Sequence, residues 1–189
     1  MKIFENKAIS LILMVALIAA GTWISGYRGL SSVYWYAENA FFVGEDGDGI
    51  CIANDLSERA IAAVNMVTLA SNYAGLKDSA AAVTEAAAEL TAELSATNRQ
   101  DSIGRLSDRN RKLDTAVTAL YEAMGEIQLS EKHEKYRQSL YADFTSRGHT
   151  ISHDPYNNYA QSYNQLLQSF PAGLLASITP VPAEAVIFY

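Results

Sequence analysis

Two short stretches of this sequence approach the spacing of metal chemistry. The first is HEKYR, His133 to Arg137. A zinc-protease helix needs a second histidine four residues after the first, one turn on, so that both reach the same ion. Arg137 holds that place, and its charge opposes a cation. His133 then reads as a solvated residue on a charged helix. A di-iron bundle site needs Glu-x-x-His on two helices, but Ser130, Ser146 and Thr150 precede His133, His149 and His153 by three. The second stretch is GEDGDGICIAND, Gly44 to Asp55, which follows an EF-hand loop in part. Asp46, Asp48, Gly49 and Asp55 take its third, fifth, sixth and twelfth places. Gly44 stands where the first ligand belongs, however, and Asp55 is shorter than the usual bidentate glutamate. Asp46, Asp48 and Asp55 are thus candidate calcium ligands in an incomplete set, and a solvated acidic turn is the default.

A third stretch, SDRNRKLD with Arg105 just upstream, packs four cations into eight residues. Anionic lipid or an acidic partner surface would use them; a solvated helix start balanced by Asp108 and Asp114 is the plainer reading. The chain has no Gly-rich phosphate loop, no G-x-S-x-G elbow and no Cys–His nucleophile signature. We assign no catalytic residue, no cofactor and no resident metal, and read the protein as non-enzymatic. The single cysteine, Cys51, cannot form an internal disulfide and reads as a small buried hydrophobe.

What must position these residues is helical. The 189 residues are 49% hydrophobic with a formal charge of −7, enough chain for one packed core and too acidic for a nucleic-acid partner. After Lys2 and Lys7, residues 8–24 run without a charge, and Trp23 and Tyr27 follow where an interfacial aromatic belt would lie. The run is longer than a signal-peptide core and offers only a poor cleavage site, so an uncleaved anchor is expected. Flanking charge places the N-terminus in the cytoplasm and the main domain outside, on a single-pass protein of the cell (inner) membrane. SSVYWYAENAFF lacks a breaker and extends the membrane helix outward, and three glycines from Gly44 make a loop.

Asp55 opens the next helical pattern, with Leu56, Ala60, Ile61, Val64, Val67 and Ala70 at steps of three and four, until YAGLKD interrupts it. Eight alanines lie between Ser79 and Asn98. Leu106, Leu113, Val117, Leu120, Met124 and Ile127 form a third stripe, and Glu122 and Glu126 fall on its solvated side. Tyr136, Leu140 and Phe144 begin a fourth, interrupted by RGHTISHDP and completed by Tyr156, Tyr159, Tyr163, Leu166, Leu167 and Phe170. Asp154-Pro155 is a good helix start, so the last helix restarts or kinks there. Phe170 ends the stripe and is expected as a buried plug. Pro171 then cuts the helix, and the apolar segment Ala172 to Ile178 must cover a bundle end or lie on the membrane. The fold expected is all-α: a transmembrane helix followed by an antiparallel up-and-down bundle of long helices. Its parts are anchor (1–27), stalk and Gly/Asp-rich loop (28–53), bundle (54–178) and extended tail (179–189).

The last helix carries a resemblance. YNNYAQSYNQLLQSFPAGLL places Tyr156-Asn157, Tyr163-Asn164 and Phe170-Pro171 in the register of the C-terminal signature of the LemA family. DLSERAIAAVNMV resembles a family segment in which Asn65 matches an asparagine. NYA (with Tyr73 and Ala74) and AVTEAAA (with Val83, Thr84 and Glu85) resemble its Gly-Tyr-Ala and Val-Thr-Glu-Ala segments. The middle of the chain matches by pattern only. Gly148, His149 and Pro155 depart from the family, whose last helix is continuous, and so does the Gly/Asp-rich loop.

The resemblance implies a membrane-anchored bacterial bundle without established enzymatic chemistry, and it favours a kink at residues 73–78. Helix length favours a full turn instead, because an unbroken helix from Asp55 to Asn98 would extend ~65 Å, but the kink is the reading adopted. The matching residues read as packing and termination positions, with Asn157 and Asn164 bonding across to a neighbouring helix. A scaffold for another membrane protein or a membrane compartment is the first function expected. A ligand-sensing or calcium-binding bundle is the alternative. The partners expected are the bilayer, through residues 8–24, and a second membrane protein; homo-oligomers are open to it.

Overall fold

A computed structural model describes residues 7–96, 99 and 102–188. No strand occurs among the described residues. The helices are α1 (Lys7–Val43), α2 (Ile52–Ala70), α3 (Lys77–Leu94), α4 (Ser102–Gly125), α5 (Glu131–Ser152), α6 (Tyr156–Gln168) and α7 (Ala172–Ser177). The protein is all-α, with one long apolar N-terminal helix and a helical bundle. Contacts divide the chain into two compact units, Met1–Ala37 with Asn158–Ala185 and Glu38–Asn157 with Val186–Tyr189.

The larger unit is built on α2 to α5, in which α2 packs on α3, α3 on α4 and α5 on α2. The α4 stripe reads as expected as far as Met124, whereas Ile127 lies past the end of the helix at Gly125 and is only half-buried. Leu106, Leu113, Val117, Leu120 and Met124 are all fully buried, because steps of three and four keep one face toward the neighbours. Against them lie Val83, Ala86 and Leu90 of α3, whose alanines let the helices approach closely. Glu122 and Glu126 are exposed.

Residues 73–78 form a full turn, not the kink that the resemblance favoured. Tyr73 is extended, one 3-10 turn spans Ala74–Leu76, and α3 then runs back along α2. In α2 the expected phase is also corrected. Leu56, Ala60 and Ala70 are buried as expected, but Ile61 and Val64 are exposed, and the seam that faces the core runs through Ile52, Leu56, Arg59, Ala63, Met66 and Ala70. The helix begins at Ile52, so Asp55 lies in its first turn and does not open it. Cys51, just before it, is buried.

The fourth pattern needs a similar correction: only Phe144 and Ile151 of α5 are buried, and Tyr136 is exposed. The helix runs unbroken through Gly148 and His149 to Ser152. A new one starts at Tyr156, whose N–H donates to Asp154 Oδ1 at 2.8 Å. The Gly/Asp-rich loop is held by its glycines. Gly44 has φ +90°, and a Cβ there would lie 2.7 Å from the Ile50 carbonyl oxygen, so no larger residue fits.

In the smaller unit, residues from α1, α6 and α7 meet. α1 is long and apolar enough to cross a membrane, and its most apolar stretch is not buried in the protein. Tyr34 packs edge-on to Tyr163 and Tyr36 to Tyr159, with ring centroids 5.3 and 5.0 Å apart. α7 lies beside the end of the uncharged run. Leu175 abuts Gly26, and the Trp23 indole donates to the Ile178 carbonyl at 2.8 Å.

Phe170 is 87% exposed and is no plug. α6 stops at Gln168, so Phe170 falls outside the helix whose stripe would have buried it. Leu174 and Ile178 are exposed with it.

Candidate functional site

At the centre of the larger unit is a buried arginine. Arg59 occupies an apolar register position of α2 and is 3% exposed. Its guanidinium lies over the Phe144 ring, 4.0 Å from the centroid, with Gly148 beside it. One terminal nitrogen donates to Asn110 Oδ1 and the other to Asp114 Oδ1, both on α4. Nε finds no acceptor among the described residues. Burial pushes the Arg59 pKa down, and the Asp114 carboxylate opposes that shift. One turn earlier, Asp55 accepts from Arg147 at 3.1 Å, which ties the start of α2 to α5. A cavity of about 550 Å³ opens beside this cluster and is lined by Arg59, Asn110, Arg111, Asp114, Asn157 and Phe188 among others. The arrangement offers fixed donors to a small acceptor-bearing or anionic group.

A second concavity, of about 650 Å³, runs between α2 and α3. Its floor is alanine (Ala60, Ala87, Ala88), and its walls include Ile61 and Val64, which are 52% and 49% exposed. Asn65 and Thr84, both matched by the family resemblance, line it too.

The other candidates are dispersed. Asp48 Oδ1 accepts from Ile50 N at 2.9 Å and closes its own loop, and Asp55 is engaged by Arg147. Among the described residues no group of three or more His, Cys, Asp or Glu side chains converges to hold a metal. The basic stretch does not face outward as a free patch. Arg105 pairs with Glu93, Arg109 with Glu89, and Lys112 with Glu85 and Glu89, at 2.7–3.0 Å. The balancing acids thus come chiefly from α3; only Arg111 pairs with Asp108. Glu85, Glu89 and Glu93, spaced by four, were the sequence signal for this ladder.

HEKYR also has structural tasks. His133 is half-buried, not solvated, with Nδ1 2.7 Å from the Tyr73 hydroxyl. Arg137 donates to Glu134 and to the Tyr121 carbonyl, and covers the Tyr121 ring.

The Tyr-Asn pairs bond to the C-terminal tail, not to a helix. In the larger unit Tyr156 donates its hydroxyl proton to Val186 O at 2.6 Å. The Asn157 carboxamide donates to Phe188 O at 2.8 Å and accepts from Phe188 N at 2.9 Å. In the smaller unit Tyr163 donates to Pro182 O at 2.7 Å, and Asn164 makes the same two-way contact with Ala185 at 2.8 and 2.7 Å. Both tyrosine rings are buried, and burial pushes the Tyr163 pKa up to about 12. Val83 is core, and Ala74 and Pro171 are exposed.

Sequence reading missed Arg59, Asn110 and the bonds that the Tyr-Asn pairs make to the extended tail. The signal for Arg59 was its register, since positions 52, 56, 59, 63, 66 and 70 step by four and three with one charge among them. No family model, curated protein or solved structure matches the chain.

Proposed function

We propose that this protein is a non-enzymatic, membrane-anchored scaffold that presents its helical bundle to another membrane protein. The observation that carries the reading is the groove between α2 and α3. Two large aliphatic side chains stand exposed over an alanine floor, a surface that fits the ridge of a partner helix and is poorly served by water. The LemA resemblance supports the same class. On this reading residues 8–24 span the cell membrane, the N-terminus is cytoplasmic, and the exposed apolar residues of α7 rest in the bilayer surface.

The test is photo-crosslinking in native membranes from position 64, with the exposed position 126, just past the end of α4, as the control. A discrete partner captured from 64 and not from 126, and lost in Ile61→Glu, supports the scaffold. Equal, diffuse labelling from both positions overturns it.

The cavity beside Arg59 favours a second reading, a ligand-sensing bundle. A ligand at a hundredfold its dissociation constant would stabilise the fold by ~2.7 kcal/mol, so a thermal-shift panel of small anions and divalent cations decides it.

A further inference from the structure

Among the described residues beyond α7 there is no helix, yet the last of them are closely held. A carboxamide that gives one donor and one acceptor to the same residue does what a neighbouring strand does in a sheet. Asn157 does this to Phe188, and the Tyr156 hydroxyl holds the carbonyl two residues earlier. Such contacts read main chain and ask little of side chains. Phe188 is the exception: its ring is 2% exposed, with the Phe41 centroid 5.3 Å away. The smaller unit repeats the device at Asn164 and Ala185. The tail itself has the properties of a peptide ligand. Pro180 and Pro182 fix φ and lower the entropy lost on binding.

We propose that Tyr156, Asn157 and Phe41 form a docking site for an extended tail, and that the tail of a second copy exchanges with the one held in cis. A second copy is the partner because its tail carries the residues that the seat is seen to fit. Exchange trades identical hydrogen bonds, so it is close to neutral in free energy, as in domain swapping. Copies anchored in one bilayer hold their tails at high local concentration. The site is separate from the α2–α3 groove, so either proposal can fail alone.

Two measurements test it. In detergent micelles, a chain ending at Thr179 is titrated with a fluorescent peptide of residues 180–189. Binding is expected, weakened about tenfold or more by Asn157→Ala and unchanged by Glu126→Ala. No binding by a shortened chain of unchanged circular dichroism overturns the site. If the shortened chain does not fold, intact copies decide. Copies bearing two different tags and a photo-crosslinker at Ile187 are reconstituted together in phosphatidylethanolamine–phosphatidylglycerol vesicles. Crosslinks between tags that map near Tyr156, and that fall in Asn157→Ala, support exchange. Crosslinks confined to single chains overturn it.

Discussion

Removing Asp114 should cost far more than an ordinary surface acid, and the cost should vanish when Arg59 is also gone. Exposed ion pairs contribute about 0.2–1 kcal/mol, and breaking a fully buried pair costs about 3–5 kcal/mol. Arg59 and Asp114 lie between these limits, with side chains 4% and 56% exposed. Asp114→Ala leaves the buried guanidinium with Asn110 alone, and Asn110 is neutral. Water reaches the carboxylate but not the cation, so we place the cost near ~2 kcal/mol, below the fully buried limit. In an Arg59→Met background, which keeps an unbranched stem against Phe144, the same substitution removes only an exposed acid and should change stability by less than ~0.5 kcal/mol. The coupling is read from urea unfolding of the full chain in detergent, followed by far-ultraviolet circular dichroism. At ~2–4 °C per kcal/mol, the single variant should also melt some 4–8 °C lower. Equal costs in the two backgrounds would refute the argument, because the partner charge would then be irrelevant.

Two further outcomes follow from other parts of the molecule. Burial, with Asp55, Glu45 and Asp48 nearby, holds the Asp154 carboxyl above its ordinary pKa of 3.8, so ionisation opposes folding as pH rises through the raised value. Asp154→Asn retains an acceptor for Tyr156 N and should melt higher than the parent at neutral pH, with the difference gone below pH 3.8; an advantage that persists in acid contradicts this. A polarity-sensitive label at Leu174→Cys in a Cys51→Ser background should be quenched by shallow lipid probes in vesicles, and a fully aqueous signal removes α7 from the bilayer surface.

The legible parts of the fold were those where apolar side chains repeat without competition. Leu106 to Met124 could be placed because, apart from Asn110, every step of three or four lands on a large hydrophobe. In α2 two phases compete. One collects Ile61 and Val64, and the other contains Arg59. Hydropathy chooses the first, and the protein uses the second because Asn110, Asp114 and Phe144 supply what the guanidinium needs from two other helices. Those partners lie dozens of residues away and leave no local trace. Phe170 was misplaced for a related reason: a stripe was extended past the residue at which its helix ends. The turn at residues 73–78 was misread as a kink because the segment resemblance was followed over helix length, the physical quantity that favoured a turn.

The clamps on the tail have a kinetic signature. Ala185 and Phe188 donate their amides to side-chain oxygens of Asn164 and Asn157, with two residues between them. In hydrogen exchange this gives protection with a period of three, where an antiparallel edge strand would show a period of two. Breaking these bonds requires only that the tail lift away, whereas the core amides of α2 and α4 wait for larger openings. Deuterium uptake at two residues near the chain terminus therefore times the release of the tail while the bundle stays folded.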